Sequence, residues 1–244
     1  MPKPKKSDTQ AKPSISTPDW PPLRPLLPAA DLSLEALVPD QIYLIHNFLP
    51  RFLMQDIRFF SRVPTYDYDA RETEEGRGEL LWSGTAMKEL ATTRFGEDEY
   101  DEYDEDRTAP SPEELARRAR EVWGGEPLGL NPNIRIYRYS AGQFFAQHYD
   151  ESNALNFLPL GAAKSMPART TWTLLIYLTT CSGGETVFLP EPTRADRNPE
   201  PITVVPEMGM ALFHRHGDQC MLHEGKEVTN GEKWVLRSDL VVSR

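Results

Sequence analysis

The spacing of hydrophobic positions along this chain changes near Leu130. Before that point, Gln41 is followed by Ile-Tyr-Leu-Ile-His-Asn-Phe-Leu, an apolar run that predicts a buried strand, and residues 51–60 continue with helical spacing. Ser111-Pro112-Glu113-Glu114 combines an N-cap serine, a proline at the first helical position and a glutamate three residues past the cap. A helix is therefore predicted from here to about Trp123, ended by Gly124-Gly125. Beyond Leu130 the apolar positions fall into short runs rich in β-branched and aromatic residues, at 134–139, 144–149, 171–179, 186–189, 202–205, 210–214, 219–223 and 233–242. Gly, Pro, Asn or Asp punctuates most of the gaps. Such short strands without intervening helices predict a mainly β fold with flanking helices, a double-stranded β-helix or jelly roll, whose narrow mouth suits a metal. The gaps 151–169 and 191–201 exceed hairpin length and are expected to be loops covering a pocket.

Composition then divides the chain. Pro2, Pro4, Pro13, Pro18, Pro21, Pro22, Pro25 and Pro28 crowd the first 35 residues among Lys, Ser and Thr, which leaves little apolar surface to offset the entropy of ordering. Residues 1–35 are thus expected to be a disordered arm, 36–130 a supporting layer of the same domain, and 131–244 the jelly-roll core. With 244 residues and 39% hydrophobic content, one substantial core can be buried. The net charge of -10 works against phosphate backbones, so nucleic acid is not an expected partner. No apolar run reaches the roughly 20 residues a membrane span needs, and Met1 is followed by Lys and Pro instead of an apolar leader. A cytoplasmic protein is expected; Lys3, Lys5 and Lys6 form a weak nuclear address that is weighed against simple solubility. The acidic stretch 97–106 is read as a solvated loop ahead of a docking site for a basic partner. Cys181 and Cys220 lack C-x-x-C spacing, which predicts reduced thiols and no zinc knuckle.

The candidate chemistry lies in the β-rich half. His148 and Asp150 stand two apart in a predicted strand, so both side chains leave one face and can reach one metal ion. His223, at the end of a predicted strand and followed by Gly225, is the best third donor; His214 and His216 are rivals. Two histidines and a carboxylate on one side of a ferrous ion leave three positions open, enough for a bidentate co-substrate and dioxygen. An H-x-D triplet alone is weak evidence in a chain with five histidines.

Four ordered blocks make the pattern specific. They are 135–150 with its tyrosines, Gly142 and H-x-D; Thr173 to Leu178 followed by Gly183-Gly184-Glu185-Thr186; Pro206 to Phe213; and His223-Glu224-Gly225 through Val228 and Gly231 to Lys233-Trp234. Together they resemble the prolyl-4-hydroxylase-like branch of the 2-oxoglutarate and iron(II) oxygenase superfamily. The resemblance covers nearly half the chain. It implies that His148, Asp150 and His223 bind Fe(II), that Lys233 pairs with the distal carboxylate of 2-oxoglutarate, and that Tyr139 and Tyr177 donate hydrogen bonds to it. Arg237, four residues beyond Lys233 on the same strand face, is the partner or substitute for that anchor. The implied reaction consumes dioxygen, with ascorbate a candidate reductant, and hydroxylates a peptidyl, for instance prolyl, or small-molecule substrate while releasing succinate and carbon dioxide. A metal-binding jelly roll without catalysis is the alternative, disfavoured by retention of the anchoring lysine. A cupin-like enzyme of different chemistry is another; it would bind metal without needing 2-oxoglutarate. Arg135, Arg138 and Arg169 receive no role, and Cys220 and Met221 are expected to fill core.

Overall fold

A computed structural model describes residues 34–49, 111–159 and 162–244. The expected helix at 51–60, the acidic stretch 97–106 and nearly all of the proline-rich arm lie outside the described residues.

The chain order is β1 (Leu34–Val38), β2 (Ile42–Ile45), α1 (Pro112–Trp123), β3 (Pro127–Leu130), β4 (Arg135–Ser140), β5 (Phe145–His148), β6 (Ala154–Phe157) and β7 (Met166–Tyr177). It continues with β8 (Ser182–Gly183), β9 (Thr186–Leu189), β10 (Ile202–Val204), β11 (Ala211–Arg215), β12 (Leu222–Gly225), β13 (Val228–Asn230) and β14 (Glu232–Ser243). An eight-stranded antiparallel sheet runs β1-β2-β11-β7-β14-β3, with β4 also on β14 and β6 on β7; a four-stranded sheet runs β10-β9-β12-β5. A short ribbon of β8 and β13 makes a third sheet, and this mainly β arrangement around two larger sheets is the jelly roll the strand pattern predicts.

Alternation along the long strands separates two cores. Trp172, Leu174 and Ile176 of β7, Ala211 and Phe213 of β11, and Trp234 and Leu236 of β14 join Trp123 of α1 in a cluster behind the large sheet. Tyr177, Leu212 and Val235, from the opposite face, meet Phe188 of β9 and Val204 of β10 in a second cluster between the sheets. The helix is held where the sequence placed it. The Ser111 hydroxyl accepts from Glu114 N–H, Pro112 opens the first turn, and Gly124 closes the helix in the left-handed conformation at φ 76°, which favours glycine.

Two expectations change. Residues 151–169 are not one long loop, because 154–157 pair as β6 with the extended start of β7. Pro167 is tolerated there because β14 ends opposite Ala168, so the missing N–H breaks no bond to that strand. The run expected as a strand at 219–223 instead begins as a 3-10 turn, Gly217–Gln219, and β12 starts only at Leu222.

Candidate metal centre

Polar residues interrupt the apolar face between the sheets at one level. On β7 Thr173 replaces the aliphatic pattern, on β11 His214 does, and on β14 Lys233, Arg237 and Asp239 share the face of Val235. The four-stranded sheet supplies the opposite wall, where β5 and β12 pair with His148 directly across from His223. Asp150 lies just past the end of β5 and remains on the His148 side.

One donor atom from each of His148, Asp150 and His223 lies within 4.8 Å of the others. The His148 Nε2 is 3.7 Å from Asp150 Oδ1, and the His223 Nε2 is 3.8 Å from Asp150 Oδ2. Both rings are oriented from behind: His148 Nδ1 is 2.8 Å from the Ala146 carbonyl and His223 Nδ1 is 2.9 Å from the Met221 carbonyl. A carbonyl can only accept, so each Nδ1 carries the proton and each Nε2 presents a lone pair inward. Asp150 is held on both oxygens, by Arg237 Nη2 at 2.9 Å on Oδ1 and by the Thr173 hydroxyl at 2.7 Å on Oδ2. A carboxylate has about four lone-pair sites, so each oxygen keeps one for a metal. The donor set therefore fits a divalent cation that takes nitrogen and oxygen ligands.

Electrostatics favours the ligating forms. Burial pushes the Asp150 carboxyl up, but Arg237, His214, the Thr173 hydrogen bond and His223 together outweigh it and hold the group well below the usual carboxylate range. Burial lowers His223, which keeps its ring neutral. Arg237 also sits 3.7 Å from Asp239, which in turn pairs with Arg135 at 3.2 Å, so a line of alternating charges runs behind Asp150.

The cavity beside these donors is lined by Tyr137, Tyr139, Phe145, Thr186 and Lys233 among others. Lys233 is only 5% exposed and forms no ion pair among the described residues. Its Nζ lies 5.8 Å from the Tyr139 ring and 5.6 Å from the Tyr177 ring, and burial lowers its pKa to about 8.

Residues 134–238 match the family described as the 2OG-Fe(II) oxygenase superfamily. Over this stretch, somewhat under half of its length, the chain is similar to that superfamily. No curated protein matches the chain. Among solved structures, a Pseudomonas putida prolyl-4-hydroxylase is 15% identical, with 95% of this chain and 100% of that one covered and a TM-score of 0.48. The viral collagen prolyl hydroxylase of Paramecium Bursaria Chlorella virus-1, in a truncated form, is 16% identical, with 84% and 90% covered and a TM-score of 0.44. The non-heme alpha ketoglutarate dependent epimerase of nogalamycin biosynthesis is 16% identical, with 84% and 79% covered and a TM-score of 0.41.

The three candidate ligands converge, and Lys233 and Tyr139 line the same cavity. Tyr177 is fully buried and its hydroxyl bonds the Thr186 hydroxyl at 2.8 Å, so it is Thr186 that lines the cavity. Arg237 lines the cavity but its guanidinium is engaged with Asp150. His214 is fully buried, with Nε2 3.6 Å from Asp150 Oδ2, whereas the His216 Nδ1 is 3.1 Å from the Thr173 hydroxyl. The segments 151–169 and 191–201, expected over a pocket, contribute no described residue to the lining; Glu224, Gly225 and Lys226 do. Met221 packs against the inter-sheet cluster, but Cys220 does not fill core: its sulfur accepts from the Asp150 N–H at 3.2 Å. Thr173 and Thr186 escaped notice although both stand in quoted motifs, because a threonine in a strand is ordinarily just a good β-former.

No helix among the described residues is long and apolar enough to cross a membrane.

Proposed function

We propose that this chain is a 2-oxoglutarate-dependent oxygenase that binds Fe(II) through His148, Asp150 and His223, anchors the distal carboxylate of 2-oxoglutarate on Lys233, and hydroxylates a C–H bond of a peptidyl or small-molecule substrate. Succinate and carbon dioxide are the co-products; proline in a peptide is the substrate to which the sequence resemblance points. The observation that carries this reading is the three-donor cluster next to a buried lysine with no ion-pair partner among the described residues. When bound, the ferrous ion supplies the electrons that activate dioxygen and couples loss of carbon dioxide from the 2-oxo acid to substrate oxidation.

The chain's own residues do the rest. His148 and His223 are pre-aimed by their backbone carbonyl contacts, so no reorientation is needed on binding. Arg237 and Thr173 fix the Asp150 carboxylate plane. Lys233, out of water, offers the single cation that a buried dicarboxylate needs at its far end. Tyr139, whose hydroxyl burial holds protonated by raising its pKa to about 12, remains a donor beside that end. Phe145 packs edge-on against His148 at 4.3 Å between ring centres and shields that imidazole.

Turnover of 2-oxoglutarate to succinate with Fe(II), first alone and then with a peptide library and a metabolite panel read for the gain of one oxygen, tests the proposal. Succinate formation that is lost in His148→Ala is expected. Metal-replete wild-type protein that never consumes 2-oxoglutarate under any of these conditions would overturn it.

A further inference from the structure

Cys220 stands outside the three-donor set but beside it. The 3-10 turn Gly217–Gln219 doubles the chain back; it is closed by Cys220 N–H on the Gly217 carbonyl at 3.0 Å and tied down by Gly217 N–H on the Asp150 carbonyl at 2.8 Å. Gly217 meets this turn at φ 72°, a conformation that favours glycine. The outcome is a sulfur 3.9 Å from His223 Nδ1 that also accepts from the Asp150 amide. On β11, the preceding strand in the chain, His214 is 1% exposed; its Nδ1 bonds the Arg215 carbonyl at 3.1 Å while its buried Nε2 makes no hydrogen bond, with Asp150 Oδ2 3.6 Å away. One donor atom from each of His214, Cys220 and His223 lies within 4.8 Å of the other two. A buried nitrogen lacking a partner is costly, and a metal ion is one species that would satisfy it. An amide N–H aimed at sulfur is a contact that stabilises a coordinated thiolate.

We propose that His214, Cys220 and His223 form a second metal site, for a thiophilic divalent ion such as zinc or cadmium, which shares His223 with the iron ligands. Two imidazoles and a thiolate make a softer set than two imidazoles and a carboxylate, so the two sites rank metals differently. Binding forms a metal–sulfur bond and sends the thiol proton to solvent; the His223 Nδ1 proton leaves the Met221 carbonyl and is replaced by one taken up at Nε2, so the ring stays neutral, its Nδ1 lone pair faces the metal, its Nε2 is no longer a donor, and water completes the coordination. Since His223 serves both sets, occupation of the softer one withdraws a ligand from iron. A thiophilic metal therefore acts on this enzyme as a competitor for one imidazole and leaves His148 untouched.

Titration of the metal-free full-length protein with cadmium, read by the ultraviolet thiolate-to-cadmium charge-transfer band, tests the site. A saturable band is expected in wild type, in Cys181→Ser and in His148→Ala; Cys220→Ser and Cys220→Ala should abolish it, and His214→Asn should weaken cadmium binding by about tenfold or more. Circular dichroism confirms that each variant is folded. A band that survives in the Cys220 variants, that disappears in His148→Ala, or that never forms in folded wild type overturns the proposal. The readout does not pass through turnover, so failure of the iron reading and failure of the second site are told apart.

Discussion

Replacing Lys233 with methionine should stabilise the co-substrate-free protein and at the same time cripple its hold on 2-oxoglutarate. Burial lowers the lysine from 10.5 to about 8, and at about 1.36 kcal/mol per pKa unit this amounts to about 3 kcal/mol of destabilisation at neutral pH. The folded-state value lies below the unfolded one, so the penalty is full below pH 8. Between pH 8 and 10.5 the unfolded chain binds more protons, and the penalty fades as pH rises. Methionine fills a similar volume without charge, so urea melts at pH 7 should show the variant more stable by up to about 3 kcal/mol, with the gap narrowing toward pH 10. With 2-oxoglutarate the sign reverses, because a buried carboxylate stripped of its cation costs about 3–5 kcal/mol, or roughly 10²- to 4 × 10³-fold in Kd. Anaerobic calorimetry with Mn(II)-loaded protein measures that loss. A Lys233→Met variant that is less stable at pH 7 and binds 2-oxoglutarate like wild type would refute both halves of the reasoning.

Other outcomes follow from the same geometry. Thr173→Val removes the buried 2.7 Å hydrogen bond to Asp150 and should cost about 1.5–3 kcal/mol in urea unfolding, with metal affinity reduced about 10- to 100-fold by calorimetry. Arg237→Lys keeps the charge but loses the planar reach to both Asp150 and Asp239, so a comparable fall in Mn(II) affinity is expected; unchanged affinity would show that the charge alone suffices. Ser111→Ala deletes the helix N-cap and should cost about 1 kcal/mol by thermal melting while leaving 2-oxoglutarate turnover intact.

The elements legible in the sequence are those whose signals are local. Ser111, Pro112 and Gly124 mark both ends of α1 with chemistry contained in one turn, and the structure has the helix from Pro112 to Trp123. The strands on which the sheets close were legible from alternation, and so was the shared face of Lys233 and Arg237. What stayed hidden depends on distant partners. β6 is four residues of modest hydrophobicity, Ala-Leu-Asn-Phe, that extend only because the start of β7 offers a free edge. The engagement of Arg237 with Asp150 joins strands far apart in the chain, so an arginine placed to grip a ligand in sequence terms is found gripping a carboxylate of the protein. Cys220 read as filler because cysteine is among the most buried residue types, and only the turn at Gly217 reveals where its sulfur goes.

β14 runs unbroken for twelve residues between partners on both sides, β7 along one edge and β4 then β3 along the other. Lys233 and Arg237 ride on it four residues apart, about 13 Å along the strand at ~3.3 Å per residue. The interval from the lysine to the clamp on Asp150 is thus set by covalent chain, not by any hinge, and neighbouring strands lock it in place. Slipping this strand by one residue would turn both cations out of the inter-sheet space together. Correct pairing of a single strand and assembly of the reactive centre are, for this protein, one and the same event.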